Sequence, residues 1–194
     1  MVAMPPDATA TKRRILEAAY HEFARYGLAG ARVDRMADAA QANKRLIYVH
    51  FGNKAELFDL IVARSLADLA EAVPFTAEDL PGYAGEVFDY LITYPEVVRL
   101  TGWAQLERPE PTEDEIAAYR PKVAAIQAAR PALGSLESAD PTDILALVLG
   151  LTTAWANASP ALRALAPEKP WSPKRLRTHR TVIIAAVEAF VARQ

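Results

Sequence analysis

The sequence predicts an all-α protein of about nine helices, and three observations support this fold class. Alanine is abundant, and apolar residues recur at helical spacing from one end of the chain to the other. The alternation typical of strands is nearly absent, and so are the Asn-Gly and Asp-Gly turns of hairpins. With 194 residues, 52% of them hydrophobic, the chain can bury a sizeable core.

The chain begins with residues 1–10, which contain two prolines and no periodic apolar positions, and this stretch is expected to be a flexible tail. A first helix is expected over residues 11–26, after which Gly27 supplies a left-handed stop. Its apolar face consists of residues four apart: Ile15, Ala19 and Phe23.

Two short helices and one longer helix follow. Apolar residues over 33–40 recur at i, i+3, i+4 and i+7, which predicts about two helical turns. After a turn, a second short helix is predicted within QANKRLIYVHF, residues 41–51. Asn53 and Glu56 then form a capping box that opens a longer helix over residues 54–73.

Prolines divide the rest of the chain into five further helices. Pro121 is expected to kink or split the helix that contains it. The proline-rich stretches 108–111 and 159–173 are expected to be loops. The five helices are predicted roughly over residues 77–94, 95–107, 112–130, 141–158 and 173–193.

Two short helices joined by a tight turn, between a first and a fourth helix, form the arrangement of a helix-turn-helix DNA-binding module. We therefore predict a three-helix DNA-binding domain over residues 11–54 and a larger helical domain over residues 55–194. At 100° per residue, Ile47 and Phe51 share the buried face of the second short helix. The outward face is predicted to consist of Arg45 and Val49, with Leu46 at its edge.

The outward residues suit a major groove. Arg45 can bind a guanine edge with two hydrogen bonds, and branched apolar groups such as Val49 can touch a thymine methyl. Lys44, Tyr48 and His50 flank this surface and suit phosphates, although packing is an alternative role for His50. Lys54, at the N-terminus of the next helix, joins a cation to backbone N–H groups and predicts a further phosphate site.

Residues 11–58, TKRRILEAAYHEFARYGLAGARVDRMADAAQANKRLIYVHFGNKAELF, resemble the DNA-binding domain of the TetR family of one-component transcriptional regulators. The most specific part of the resemblance is IYVHFGNKAELF. The resemblance implies that Tyr48 and Lys54 contact phosphates, and that Lys44, Arg45, Leu46 and Val49 face bases.

The chain departs from the family pattern at two places. Gln41 stands where the family usually has a glycine in the turn, which suggests a somewhat different turn geometry, because glutamine is costlier at positive φ. Ala31-Arg32 stands where a threonine usually caps the second helix, and Arg32 is a candidate replacement for that contact. The predicted DNA-binding residues are Arg32, Asn43, Lys44, Arg45, Leu46, Tyr48, Val49, His50 and Lys54.

The segments over residues 143–151 and 181–191 are apolar nearly all round, so each must be covered on both faces. A four-helix contact with a two-fold partner would cover them, and an internal helical hairpin is the alternative. A dimer also presents two reading helices to successive major grooves. The predicted dimerisation residues are Ile144, Leu147, Val148, Leu151, Ile183, Val187 and Phe190.

An effector pocket is predicted among the middle helices of the larger domain, because ligand cavities are usually apolar with a few polar groups. Aromatic residues at helical spacing are also typical of packed core, and that alternative stays open. Glu107 and Arg99 could hold a charged ligand or face water. The predicted pocket residues are Phe88, Tyr94, Trp103, Leu106, Thr152 and Trp155.

The composition argues against several other classes of protein. There is no cysteine, the three histidines have no metal-ligand spacing, and no glycine-rich phosphate loop is present. We therefore expect no catalytic residue, no metal site and no cofactor. No apolar run is long enough to span a membrane and no leader is apparent, so a cytoplasmic location is expected.

The sequence thus indicates a homodimeric, ligand-responsive transcriptional regulator, most simply a repressor. Its expected partners are double-stranded operator DNA, a second copy of the chain and a small-molecule effector of unknown chemistry. One alternative is a helical small-molecule-binding protein that binds no specific DNA. The other is an all-helical enzyme.

Overall fold

A computed structural model describes residues 8–108, 110–130 and 138–191. These residues form ten α-helices and contain no strand, so the predicted all-α fold class is confirmed. The first four helices are α1 (Ala8–Gly30), α2 (Val33–Ala39), α3 (Lys44–Phe51) and α4 (Lys54–Ala72). The other six are α5 (Leu80–Thr93), α6 (Pro95–Glu107), α7 (Glu113–Ala129), α8 (Pro141–Asn157), α9 (Pro160–Ala164) and α10 (Pro173–Val191).

Three boundaries differ from the sequence-based expectation. Helix α1 begins at Ala8, so the predicted tail reaches into it by three residues, and the remainder of the tail lies outside the described residues. The stretch 159–173, expected to be a loop, contains α9, which Ser159 caps by accepting a hydrogen bond from the backbone N–H of Leu162. Helix α7 runs through Pro121 as one helix, so the split that was one of the two expected effects does not occur.

The chain forms two compact units that do not follow its order. The first unit comprises Met1–Leu66 together with Pro95–Thr112, and the second comprises Ala67–Tyr94 together with Glu113–Gln194. Helix α6 thus belongs to the same unit as α1, α2 and α3, and it packs against α1. The functional boundary expected at residue 54 stays a prediction.

The core of the first unit is built by the apolar faces of α1 to α4 and α6. Phe23 and Phe58 meet edge to face, with 5.1 Å between ring centroids. Ile15, Met36 and Leu100 are completely buried beside them. This shared core fixes where the surface of α3 lies.

Helix α1 is kinked at Gly27, at the place where it contacts α6. Gly27 has φ 68°, and a Cβ there would lie 2.8 Å from both the Trp103 ring and the Glu107 carboxylate. That carboxylate accepts hydrogen bonds from the backbone N–H groups of Leu28 and Ala29. Glu107, considered above as a possible ligand contact, therefore caps the short helical turn that follows the kink.

The second unit packs α5 against α8 and α10, and α7 against α8. Its core contains Leu80, Val87, Ile144 and Val148, which are almost completely buried. Gly85 on α5 lies against α10, where an added Cβ would be 2.9 Å from the Arg180 guanidinium. This close approach accompanies the ion pair between Arg180 and Asp89, whose Nε–Oδ2 distance is 2.7 Å.

Candidate nucleic-acid interface

Helix α3 is defined at both ends by local hydrogen bonds. The side chain of Asn43 accepts a hydrogen bond of 2.8 Å from the backbone N–H of Arg45, so Asn43 caps the helix. At the other end, the N–H of Gly52 donates to the carbonyl of Tyr48 at 3.0 Å. Gly52 has φ 71°, and a Cβ there would collide with the Glu56 carboxylate.

The two faces of α3 differ sharply in burial. Ile47 is only 2% exposed and anchors the helix in the core of the first unit, with Phe51 partly buried beside it. Arg45 is exposed, and Val49 is 65% exposed. The helix thus presents a guanidinium and a branched apolar group on one open face.

Leu46 lies at the edge of the outward face, where its spacing places it. Leu46 is partly buried and packs against the core cluster, because one residue before Ile47 is still within reach of the apolar face. Tyr48 is exposed, whereas His50 is partly buried with its ring near that of Phe51. Both of the roles considered for His50 therefore remain open.

The turn between α2 and α3 contains the departure noted at Gln41. Gln41 has φ 49°, and it is the one non-glycine residue with positive φ in the described part of the chain. Its N–H donates to the carbonyl of Asp38, and the N–H of Ala42 donates to that of Ala37. This pair of bonds is a Schellman motif with glutamine in the left-handed position. The turn therefore has the geometry that glycine would adopt, at an added conformational cost.

Lys44 is already paired in the free protein. Its ammonium nitrogen lies 2.7 Å from Oδ1 of Asp34, in the first turn of α2. The hydrogen bond with Asp34 raises the pKa of Lys44 and lowers that of the carboxyl. Arg45 forms no ion pair within the described ranges, so it is the cation that α3 offers most openly.

At the predicted phosphate site around Lys54, several hydrogen-bond donors already have partners within the protein. Asn53 accepts from the backbone N–H groups of Ala55 and Glu56 at 2.9 and 3.0 Å, so these donors are not free. Glu56 completes the predicted capping box and adds a negative charge to the same helix end. The Lys54 ammonium donates to two backbone carbonyls, those of Ala29 at 3.3 Å and Ala31 at 3.2 Å.

A carboxylate from α1 binds the backbone and a side chain at the start of α2. Oε1 of Glu22 accepts from the backbone N–H of Arg32 and from Nε of Arg35, both at 2.8 Å. The side chain of Arg32 makes no cap of its own and is exposed. Glu22 and Asp34 were both missed in the sequence, because their partners lie on other helices and no local spacing signals them.

Comparison with known proteins agrees with this geometry. Residues 15–61 match the family described as bacterial regulatory proteins, tetR family. Residues 79–189 match the tetracyclin repressor-like C-terminal domain. The chain belongs to the TetR family. It is therefore a DNA-binding transcriptional regulator, and the resemblance seen in the sequence is confirmed.

Individual relatives of this TetR-family chain cover nearly its whole length. The HTH-type transcriptional repressor SCO4008 of Streptomyces coelicolor is 39% identical over 170 residues, which are 85% of this chain and 86% of the relative. The crystal structure of SCO4942, described as a transcriptional regulator of the same species, has a TM-score of 0.81 at 34% identity and covers 95% of this chain and 99% of its own. A regulator from Aquifex aeolicus shares the fold, with a TM-score of 0.64 at 18% identity over 92% and 98% of the two chains.

The six predicted pocket residues are divided between the two units, since Trp103 and Leu106 belong to the first unit and the other four to the second. Trp103 packs against the core of the first unit, and Leu106 is 79% exposed because it lies on the open face of α6. Tyr94 is about half exposed and stacks on Tyr90. Thr152 is buried, but its hydroxyl donates to the carbonyl of Leu149 at 2.7 Å. The assignment of these residues to one pocket stays a prediction.

Phe88 and Trp155 remain together, and both lie against His179. Their ring centroids are 5.6 and 5.2 Å from that of His179. The sequence did not single out His179, although it lies four residues before Ile183 on the buried stripe of α10.

The predicted dimerisation residues divide between two faces. Four of them are buried in the core of their own unit and cannot face a partner, because α5 and the facing helix already cover them: Ile144, Val148, Ile183 and Val187. Leu147 is 53% exposed, whereas Leu151 and Phe190 are partly buried. The open face of α10 instead contains Val182, Ala185 and Ala189.

Within the described ranges, no three His, Asp or Glu side chains are grouped so that they could hold a metal ion. In the same ranges, no helix is both long enough and apolar enough to cross a membrane.

Proposed function

We propose that this TetR-family chain is a homodimeric repressor that binds a palindromic operator and releases it when a small-molecule effector binds. The observation that carries the proposal is the open face of α3, where exposed Arg45 and Val49 stand on a helix fixed by buried Ile47. The printed name of the relative SCO4008, a transcriptional repressor, supports the direction of regulation.

Arg45 and Val49 are the proposed base contacts, with Leu46 restricted to the edge of the contact by its partial burial. Tyr48, the free amide of Asn43 and the half-buried His50 are proposed to contact phosphates. The exposed side chain of Arg32 is a further phosphate contact.

Two of the proposed cations must exchange or share a partner when DNA binds. Lys44 exchanges Asp34 for a phosphate, which makes its contribution smaller than that of an unpaired lysine. Lys54 keeps one of its three N–H groups for a phosphate while the other two hold the carbonyls of Ala29 and Ala31.

The proposed dimer forms through the open faces of α8 and α10. These faces carry Leu147 and Val182, which are more than half exposed, and the small residues Gly150 and Ala185. A two-fold contact of α8 and α10 with their copies would bury these residues in an isologous four-helix interface. Small residues at such a contact let the helices approach closely.

The matched pair Gly150 and Gly102 tests this interface, because a Cβ at either helical glycine meets nothing within 4 Å. Gly150→Glu on α8 should convert a dimer into a monomer of 21.2 kDa in sedimentation at micromolar concentration. Gly102→Glu on α6 should leave the dimer intact. A wild-type monomer, or a dimer unaffected by Gly150→Glu, would reject the proposed interface.

Release of the operator requires an effector that binds one conformation of the protein more tightly than the other. Helix α4 contributes residues to both units, since Lys54–Leu66 belong to the first and Ala67–Ala72 to the second. We take α4 to be the lever, because its displacement would alter the spacing of the two reading helices. This coupling is inferred from the continuity of the helix.

The rival functions are separated by one experiment. Purified full-length protein should shift DNA from upstream of its own gene that contains an inverted repeat, and should not shift the same DNA with the repeat scrambled. Equal binding to both would favour a small-molecule-binding protein without specific DNA recognition. We place the protein in the cytoplasm with the chromosome, without a cofactor, a membrane contact or catalytic activity.

A further inference from the structure

The N-terminal part of α10 carries an excess of positive charge. Lys174, Arg175, Arg177 and Arg180 lie in its first eight residues, and its first turn has no acidic residue. Cations are unfavourable at a helix N-terminus, which is the positive end of the helix dipole. Lys174 pairs with Glu168 and Arg180 pairs with Asp89, but Arg175 and Arg177 form no ion pair within the described residues.

The two unpaired arginines lie on different sides of α10. Arg175, His179 and Ile183 follow each other at intervals of four and form a stripe that turns by only about 80° around the helix, with Val187 one step further on. Ile183 and Val187 are buried, which shows that this stripe faces the core of the second unit. Arg177 is exposed. The inward stripe of α10 is therefore apolar at its C-terminal end and cationic at its N-terminal end.

Aromatic rings surround the cationic end of the stripe. The Arg175 guanidinium carbon lies 4.3 Å from the centroid of the Trp155 ring, and His179 packs between Trp155 and Phe88. The indole N–H of Trp155 donates to the carbonyl of Pro170 at 2.9 Å, which fixes the orientation of the ring. The result is a rigid aromatic setting for two nitrogen-bearing side chains.

Both side chains have a buried polar atom without a partner. Nε of Arg175 and Nε2 of His179 are inaccessible to solvent, and neither forms a hydrogen bond with any residue that the structure describes. An unpaired buried donor is costly, and such groups in folded proteins are nearly always satisfied. Burial, assisted by the Arg175 charge, lowers the pKa of His179, so that the imidazole is neutral near pH 7 and can donate one hydrogen bond.

We propose that Arg175 and His179 bind the carboxylate of a small organic anion whose apolar part lies against Trp155 and Phe88. A carboxylate can accept from Nε–H of Arg175 and Nε2–H of His179 at the same time, and the hydrogen bond from arginine is charge-assisted. The inference rests on the proposed function in one respect, because it identifies this anion with the effector.

The donor set favours a carboxylate over a phosphate. Two buried N–H groups match the two oxygens of a carboxylate, whereas a phosphate would bring further oxygens into an aromatic setting without donors. Glu168 is the nearest acidic group to act on Arg175, but it is neutralised by Lys174 at 3.0 Å. The net charge at this end of α10 therefore stays positive.

The test uses the full-length protein with benzoate, phenylacetate, hexanoate and inorganic phosphate as probes, measured by titration calorimetry and by the shift in melting temperature. At least one carboxylate should bind the wild type more tightly than phosphate does. Arg175→Gln should weaken that binding by about tenfold or more. Arg177→Gln is the matched control and should change the dissociation constant by less than about twofold.

The substitution His179→Phe distinguishes a loss of carboxylate binding from a loss of stability. The phenyl ring keeps the packing against Trp155 and Phe88 and removes the unpaired buried nitrogen, so the melting temperature should not fall. Carboxylate binding should nevertheless weaken. A merely structural role for His179 would move stability and binding together, and that result would overturn the inference, even where Arg175→Gln fails to fold.

Three other results would also overturn it: no carboxylate binding by the wild type up to about 10 mM, equal weakening by Arg177→Gln, or tighter binding of phosphate. Operator binding measured on the same preparations separates the two claims. If the protein binds its operator but no carboxylate, the anion site is rejected and the proposed function stands. If the protein binds a carboxylate through Arg175 but binds no operator, the anion site stands and the proposed function is rejected.

Discussion

The tripeptide Lys-Arg-Leu occurs at the start of two helices and forms a different surface in each. In α3 it is Lys44-Arg45-Leu46, and in α10 it is Lys174-Arg175-Leu176. Each lysine pairs with a carboxylate, at 2.7 Å to Asp34 and 3.0 Å to Glu168. The arginines differ, because Arg45 is exposed and forms no ion pair in the part of the chain that the structure describes, whereas Arg175 lies over Trp155 with its Nε buried.

The difference arises from the register of each arginine with the apolar face of its helix. In α3 the buried residue is Ile47, two positions after Arg45 and thus on the far side of the helix. In α10 the nearest buried residue on the same side is Ile183, about 80° around the helix from Arg175, and Arg175 itself lies over the buried ring of Trp155. The same three residues therefore suit contact with DNA in one place and with a buried anion in the other.

The largest expected effect comes from removing the anchor that turns Arg45 outward. Ile47→Ala should lower the free energy of unfolding by about 2–5 kcal/mol, because it leaves a cavity under α3. Urea denaturation measures this loss. Val49→Ala, at the exposed face two residues later, should change stability by less than about 0.5 kcal/mol. Equal effects would mean that α3 does not have the two faces described.

The turn before α3 gives a smaller effect of opposite sign. Gln41→Gly should stabilise the protein by about 0.5–1 kcal/mol, since relief of the left-handed backbone outweighs the added entropy of the unfolded chain. Gln127→Gly, within α7, is the matched control and should destabilise by about 1 kcal/mol. Denaturant midpoints compare the two variants, and a loss of stability in both would contradict the left-handed conformation of Gln41.

The smallest expected effect is the pH dependence of stability that arises from His179, beside Arg175 on α10. The pKa of His179 is lowered in the folded protein, so the unfolded state binds the proton more tightly. The stability that depends on neutral His179 is present above about pH 6.5 and is lost as pH falls through the folded pKa. His179→Phe should show a shallower loss of melting temperature than the wild type over this range, and parallel curves would contradict the buried site.

The sequence predicted α3 well because its signals are local. Buried Ile47 and outward Arg45 and Val49 lie within a few residues of each other. The cap at Asn43 was not predicted, and Gln41 was expected to change the turn but adopts the left-handed conformation of glycine. Leu46 lies at the border of the buried face, which agrees with its predicted place at the edge of the outward face. The partners of Lys44 and Lys54 could not be predicted, since Asp34 and the carbonyl groups come from other helices.

The second unit was predicted less well for a related reason. Helices α8 and α10 are apolar around much of their circumference, so spacing alone could not decide which side faces the core and which could face a partner. The structure buries Ile144 and Ile183 and exposes Leu147 and Val182. The assignment of α6 to the first unit depends on contacts such as that of Glu107 with α1, which join residues far apart in sequence.

The most direct test measures operator affinity for the wild type, Arg45→Ala and Arg175→Gln side by side. Arg45→Ala should weaken binding by about 1–3 kcal/mol and relax the preference at one base pair, because a base contact is lost. Arg175→Gln should bind the operator as the wild type does in the absence of effector. An unchanged affinity in Arg45→Ala, or an equal loss in Arg175→Gln, would contradict the assignment of DNA recognition to α3.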